Sequence, residues 1–564
     1  MQVLTPLGSA WAAATVALIP LAVLLGYLVG MHMSAWAVVL LGTVMTIWLA
    51  VTVWRAPVGE TLTAYGLGAA TGLWSVAWII FWGLVIYNTL VVAGAFDALR
   101  DWLVAFAGTD VRVQVVVLAW AFGALLEGLV GFGYPWAVVA PILVGLGLTE
   151  LQALRAAAFG NIAPATYGAL GAPVIGLAAV TGLPLIDLSA AIGKLIALLA
   201  IAPPFLLIYL VSGRAGLRSG WPLGAVGAVG FIAGQLPTSQ YFGPYLPAVV
   251  GALTCLAALR IFLRYWQPTP WPGQPSPTEP SPTTSALTEP FPAQLAPARR
   301  SLPRAAAEPP GASPAPAVGR LGGRRRPYQA GLIPILIFVA VVVAWTGPWS
   351  PLPRYIPFKL SVRAAGSLGT PVTVTFSWAP FVAGTATLTA WLLIVGYLLP
   401  NRRLIAAAFR RTFTQAWAAL LVAPLIFGLT AVFNYSGMAN SVANAFATLG
   451  PAFILVAPVL GWLAAALSGS VTSANNLFGA FQASVGQLLG APALLFPALN
   501  SVGAAVGKPI APQTVSVGVS TTSHVRREGT IVRHNFLATL GVLGYLIAVG
   551  LVFFLLLTPV RPTG

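Results

Sequence analysis

The chain of 564 residues is 58% hydrophobic and only 7% charged, with 28 basic against 11 acidic side chains and a net charge of +17. A soluble domain carries about 25% charged residues, so a water-soluble particle of this size is excluded and a polytopic membrane protein is expected. The basic excess does not indicate nucleic acid, because it falls at the ends of apolar runs and in one linker, where cytoplasmic positive charge belongs.

Apolar runs of spanning length lie at 10–30, 34–54, 71–93, 112–126, 188–212, 221–236 and 243–264, then at 328–346, 379–399, 415–433, 450–467 and 535–558. A helical crossing needs about 20 residues. No basic residue precedes Arg55, so the first run does not read as a cleavable signal peptide and is expected to be retained. Two further stretches, 127–185 and 468–525, are apolar but interrupted by Gly, Pro, Ser and Asn. Together these patterns predict an all-α polytopic membrane protein of about 11 to 13 transmembrane helices. The chain is expected to form two repeat-related halves with broken or re-entrant helices at the centre.

Residues 268–327 hold sixteen prolines and ten charges, ending in Arg320, Arg324, Arg325 and Arg326. This composition cannot bury enough apolar surface to fold, so a disordered cytoplasmic linker is expected between halves 1–267 and 328–564. The alternative for its basic end is contact with anionic lipid. The single Cys255 lies in an apolar run, which excludes a disulfide or a cysteine metal site within one chain.

The arginines set a topology. Arg214, Arg218, Arg260, Arg264, Arg402, Arg403, Arg410, Arg411, Arg526, Arg527 and Arg533 all sit beside spans, and placing them in the cytoplasm is self-consistent. Residues 349–378 then fall outside, in mild conflict with Arg354, Lys359 and Arg363. The orientation of the first three spans is left open.

An internal repeat links the two interrupted stretches. Asn161-Ile-Ala-Pro-Ala-Thr-Tyr-Gly168-Ala-Leu-Gly-Ala-Pro173 aligns with Asn500-Ser-Val-Gly-Ala-Ala-Val-Gly507-Lys-Pro-Ile-Ala-Pro512 at a constant offset of 339. Upstream of each Asn lies a second break, Glu127 to Pro135 and Ser468 to Asn476. Duplicated interrupted helices are the sequence mark of a secondary transporter. Unwound backbone is intolerable against lipid and persists only inside protein or along a watery cavity. Half-helix N-termini there offer free N–H donors to an anionic substrate. The two breaks are therefore the expected substrate site.

Glu127 is the only charged side chain between Arg112 and Glu150. A carboxylate at membrane depth is costly when ionised, which makes it a candidate proton carrier, or else a cap for broken-helix N–H groups. Lys508, the sole charge between Arg411 and His524, reads equally as a contact for a substrate carboxylate or as the fixed counter-ion of Glu127. Ser468, Ser470, Thr472, Ser473, Asn475 and Asn476 form a neutral polar cluster, six in nine residues, able to bind a carboxylate and a neighbouring hydroxyl, although small polar residues also join helices. Gly131, Phe132 and Gly133 in the first break, with Asn161, Tyr167, Asn500 and Gln513, complete the candidate substrate contacts, and Gln482 and Thr514 are weaker ones. Asn161 and Asn500 read either as helix caps or as ligands. Asp97, Arg100, Asp101, His524 and His534 read as interfacial; Lys194 either snorkels or pairs with Asp187.

The run Phe122-Gly-Ala-Leu-Leu-Glu127-Gly-Leu-Val-Gly-Phe-Gly-Tyr-Pro135 resembles the Glu-Gly-x-x-Gly-Phe-Gly-x-Pro signature of bacterial L-lactate permeases. Val144-Gly-Leu-Gly147, Asn161-x-Ala-Pro164, Asn434-Tyr-Ser-Gly437, Gly469-Ser-x-Thr472-Ser473-x-Asn475 and Gly507-Lys508-x-Ile-x-Pro512-Gln513 are similar to that family too. The resemblance covers nearly the whole chain outside the linker. It implies uptake of L-lactate, and often glycolate or related 2-hydroxy-monocarboxylates, by proton symport across the bacterial inner membrane. Members similar to this chain commonly read Gly-Ser-Asp-Thr-Ser where Val471 stands here, which implies reliance on Glu127 alone or a changed substrate or coupling ion. Tyr134, where the family often has a small residue, implies a narrower pocket.

The expected partners are a lactate-like monocarboxylate, protons and the lipid bilayer, with no nucleic acid, cofactor or metal. A sodium-coupled carrier of another organic anion is the alternative. An intramembrane enzyme is disfavoured by the lack of paired carboxylates or a His-Glu-x-x-His motif.

Overall fold

The computed structural model describes residues 2–30, 34–131, 133–269, 327–367, 372–520 and 528–557. Nearly all of the linker expected at 268–327 lies outside these residues, as do Phe132, His524, Arg526 and Arg527. Before the linker the helices are α1 (Ala10–Gly30), α2 (Ala35–Thr52), α3 (Val58–Thr71), α4 (Trp78–Val92), α5 (Ala95–Ala107), α6 (Val111–Gln114), α7 (Gly123–Leu129), α8 (Tyr134–Gly145), α9 (Glu150–Gly160), α10 (Ile162–Ala165), α11 (Gly168–Thr181), α12 (Leu185–Leu199), α13 (Ala202–Tyr241) and α14 (Pro247–Phe262). Two π-helical stretches, Gly72–Ala77 and Val115–Phe122, fuse α3 to α4 and α6 to α7. After it follow α15 (Pro327–Thr346), α16 (Ala383–Leu398), α17 (Arg402–Ser436), α18 (Met438–Ala447), α19 (Phe453–Ser468), α20 (Val471–Leu488), α21 (Leu495–Gly507), α22 (Pro512–Val519) and α23 (Glu528–Leu557).

The protein is a helical, polytopic membrane protein. Among the described residues seven helical stretches are long and apolar enough to cross a bilayer, and six shorter apolar helices of 10–17 residues accompany them. Two of these short helices, α8 and α11, adjoin the Gly- and Pro-rich breaks. At Gly133 and at Gly469 a left-handed glycine separates one helix from the next.

Residues 349–378, expected as an external loop, contain a β-hairpin. Strand β1 (Phe358–Ala364) pairs antiparallel with β2 (Val372–Trp378), with Phe358 opposite Trp378 and Ala364 opposite Val372. Its second strand alternates Val-Thr-Val-Thr-Phe-Ser-Trp, the period of two that a strand requires.

Helices from before and after the linker share one core. The long α17 runs along α2, α3 and α4; α1 packs on α18; α11 packs on α20. Small residues permit these approaches. At Gly68 and Gly72, an added methyl group would strike Phe427 and Ala423 of α17 at 2.6 and 2.7 Å. Close backbone contact of this kind holds membrane helices together where no hydrophobic driving force separates helix from lipid.

Candidate functional site

Four irregular segments converge at the centre. The first break follows α7, where Gly131 and Gly133 take φ of +67° and +79°. Left-handed backbone is open to glycine and costs other residues about 1–2 kcal/mol, so this Gly-x-Gly is what lets the chain reverse into α8. The second is inside α11, where Ala169, Leu170 and Gly171 are all left-handed and Pro173 starts the next helical arm. The third is at Gly469, φ +70°, between α19 and α20. The fourth is the tight turn Lys508–Ile510 that separates α21 from α22.

These segments touch. A methyl group at Gly131 would lie 3.1 Å from the Ala169 nitrogen, joining the first to the second. A methyl at Gly133 would meet Thr514 at 3.6 Å, and one at Gly469 would meet Gln513 and Thr514 at 3.1 and 3.3 Å. The first turn of α22 thus lies against both glycine breaks, and Thr514 donates its hydroxyl to the Gly469 carbonyl at 3.3 Å.

At the junction stands one ion pair. Lys508 Nζ donates to Glu127 Oε1 at 2.6 Å, with side chains 6% and 2% exposed. Lys508 is thus the ionic partner of Glu127. Gly168 closes in from the second segment, where an added methyl would lie 2.5 Å from the same carboxylate oxygen. The other oxygen, Oε2, is buried with no hydrogen-bond partner. Taking two charges out of water is repaid only when they hold each other closely, and here one half of the carboxylate is left uncompensated.

Most other candidates form a scaffold around this pair. Asn475 Nδ2 donates to the Pro173 carbonyl and to Ser501 Oγ, both at 2.9 Å. Asn500 Nδ2 donates to Asn475 Oδ1 at 3.2 Å, and Gln482 Nε2 donates to Asn500 Oδ1 at 2.9 Å. This network ties α20 to α11 and α21. Ser470 caps α20, accepting the Ser473 N–H on its hydroxyl, and Ser468 Oγ donates to the Ser470 carbonyl at 3.3 Å. Thr472 and Ser473 are half-buried in the first turn of α20, beside buried Val471. Tyr167 is buried and donates to the Ser189 carbonyl at 2.6 Å, which fixes its hydroxyl to α12. Phe132 lies outside the described residues.

Asn161 separates from Asn500. It is 2% exposed, and neither its Nδ2 nor its Oδ1 has a partner. Thr166, which the sequence did not single out, and Asn476, the last residue of the polar run, are likewise fully buried with unpartnered polar side-chain atoms. Arg112, also not singled out, is fully buried. It pairs with Asp110 at 2.7 Å and donates to Ser219 and to the Thr269 carbonyl, so it anchors the first residues of the linker.

At the periphery, Arg100 pairs with Asp97 and Asp101 on exposed α5. Lys194 is exposed on α12, and His534 bonds the Thr530 carbonyl on exposed α23. Tyr134 opens α8 and packs edge-on against Tyr87, ring centres 5.5 Å apart. No group of three His, Cys, Asp or Glu side chains able to hold a metal ion occurs among the described residues.

The family model described as "L-lactate permease" matches residues 13–280 and 358–560. The chain is similar to glycolate permease GlcA of Escherichia coli strain K12, 30% identical over 552 residues that cover 95% of this chain and 94% of the relative. It is also 30% identical to the L-lactate permease of Bacillus subtilis strain 168, over 94% of each chain. The L-lactate permease of Salmonella typhimurium strain LT2 is 28% identical over 95% of each. With its two matched blocks flanking the linker and its helical, many-span architecture, the chain belongs to the L-lactate permease family and is a multi-pass permease of the bacterial plasma membrane.

Proposed function

We propose that this permease takes up L-lactate, glycolate and related 2-hydroxy-monocarboxylates together with a proton. The relatives' names supply the substrate class; the buried Glu127–Lys508 pair supplies the coupling. Val471 leaves the second break without the carboxylate common in similar chains, so Glu127 alone carries the proton.

The coupling follows from charge. With Glu127 ionised and Lys508 protonated, the empty site is neutral. Protonating Glu127 frees the ammonium, which then takes the substrate carboxylate, and the loaded site is neutral again. A proton alone leaves a charge of +1, and a substrate alone leaves −1. Moving an uncompensated charge through the low-dielectric interior is expensive, so only the empty and the doubly loaded forms change access. One proton then accompanies one carboxylate, and net transport is electroneutral. The breaks supply the supporting N–H donors and hydroxyls, with Ser468, Ser470, Thr472, Ser473, Lys508 and Gln513 in one repeat and Gly131, Phe132, Gly133 and Asn161 in the other, while Asn475, Asn500 and Tyr167 hold these segments in place.

The test is uptake of labelled L-lactate into proteoliposomes. Wild-type protein accumulates lactate down an inward proton gradient, and replacing sodium by choline or imposing a potassium diffusion potential leaves the rate unchanged. In Glu127→Gln the empty site carries the uncompensated lysine and cannot return unloaded. Lactate–lactate exchange therefore survives, while gradient-driven accumulation falls to background. Intact gradient dependence in Glu127→Gln, or a sodium requirement in the wild type, overturns the scheme.

A further inference from the structure

The matched repeats use their polar groups differently. Asn500 is saturated by Gln482, Asn475 and the Ala474 carbonyl. Its counterpart Asn161 has both polar atoms buried and unpartnered. Five residues on, Thr166 is fully buried with its hydroxyl unpartnered, whereas the second repeat has Ala505 in that place. Thr166 is out of character for this chain. Buried Thr43, Thr46, Thr89, Thr387, Thr412 and Thr430 each donate to the carbonyl four residues earlier. A helical threonine hydroxyl normally settles there, and Thr166 does not.

The placement gives these groups a purpose. Helix α9, whose C-cap is Asn161, packs on the Lys508–Ile510 turn, and α10 packs on both α7 and α21. Thr166 caps α10, and Gly168, two residues on, lies against the Glu127 carboxylate. Three uncommitted polar groups therefore sit on the elements that enclose the ion pair: Glu127 Oε2, the Asn161 carboxamide and the Thr166 hydroxyl. Buried polar groups are almost always bonded, and exceptions call for a missing partner.

We infer that Asn161 and Thr166 form the subsite that reads the 2-hydroxyl of the substrate. This rests on the transport reading above. In a 2-hydroxy acid the hydroxyl is one carbon from the carboxylate, so whatever binds it must neighbour the group that holds the carboxylate, here Lys508. A 2-hydroxyl both donates and accepts, and a carboxamide with a hydroxyl offers both complements. A site whose buried polar groups are left unpaired by an analogue lacking the hydroxyl rejects that analogue strongly, whereas an apolar pocket discriminates weakly. The first repeat thus carries selectivity, and the second carries the lysine and the scaffold.

Competition against labelled L-lactate uptake tests this, with unlabelled L-lactate, glycolate, propionate and acetate as competitors. Wild-type protein should prefer L-lactate to propionate and glycolate to acetate. Thr166→Val removes the hydroxyl at constant shape, and its preference for each hydroxy acid over its deoxy analogue should fall by about tenfold. Thr166→Ser should restore the preference, and Asn161→Ala should lower it independently. An unchanged preference in Thr166→Val and Asn161→Ala, the result expected if only an ordered water fills the subsite, overturns the inference while leaving lactate transport standing. Equal loss for hydroxy and deoxy acids in both variants overturns it as well. Wild-type protein that transports no lactate removes the transport reading and this inference together.

Discussion

Glu127 and Lys508 stand 381 positions apart and meet at 2.6 Å inside the protein. Removing one partner of a buried pair strands the other, at a cost of about 3–5 kcal/mol, whereas replacing both by neutral groups is often close to neutral. Lys508→Met should therefore lower the melting temperature of the purified protein markedly. The double variant Glu127→Gln with Lys508→Met should recover most of that loss and still show neither uptake nor exchange, because nothing remains to hold a carboxylate. Recovery of stability together with transport would show the pair to be a structural rivet alone. Each residue was legible in the sequence because a lone charge in an apolar stretch is conspicuous. Their pairing was not, since nothing in composition or spacing joins positions so far apart. Thr166 was not legible for the opposite reason: threonine is common in these helices and ordinarily satisfied by its own backbone, so only three-dimensional packing exposes the exception.

At the scale of elements, the breaks were legible because Gly and Pro mark them chemically. Gly131, Gly133 and Gly469 take the left-handed backbone that the Gly-rich runs imply, and Pro512 opens α22. The left-handed Ala169 and Leu170 were hidden, because neither residue prefers that region and tertiary packing imposes it. The β-hairpin is present as a period-two alternation in a stretch that, lying between two spans, reads only as an external loop. Asn161 and Asn500, alike in sequence, diverge here in a way that stability can measure. Asn500→Leu deletes the acceptor of Gln482 and a donor to Asn475. Each buried group so orphaned costs about 1–3 kcal/mol, so this variant should unfold several degrees earlier in detergent. Asn161→Leu breaks no hydrogen bond of its side chain and should melt near the wild type while losing lactate uptake. Equal destabilisation of the two variants would mean that the repeats are used alike.

For the whole molecule, the structure joins what the charge pattern left open. Gln2 donates its backbone N–H to the Ala365 carbonyl and its side chain to the Asn434 and Tyr435 carbonyls, so the start of the chain lies beside the hairpin and the end of α17. The opposite end of α17 carries Arg402, Arg403, Arg410 and Arg411. With 35 residues, α17 is about 52 Å long, more than a hydrocarbon core. The arginine end and the hairpin end are thus on opposite membrane faces. Cytoplasmic arginines, the arrangement the positive-inside bias predicts, would put the hairpin and residue 2 outside and so orient α1, α2 and α3. Arg354, Lys359 and Arg363 lie in the outside loop and count against this placement, but the arginines assigned to the cytoplasm outnumber them. The single Cys255 is fully buried, so the wild type should resist a membrane-impermeant maleimide and provide a silent background. Leu360→Cys on β1, where the native side chain is 53% exposed, should label in intact cells. Leu399→Cys between α16 and α17, at a site 79% exposed, should label only after permeabilisation. The reverse pattern would invert the molecule in the membrane, and labelling of both in intact cells would break the link between arginine placement and sidedness on which the assignment depends.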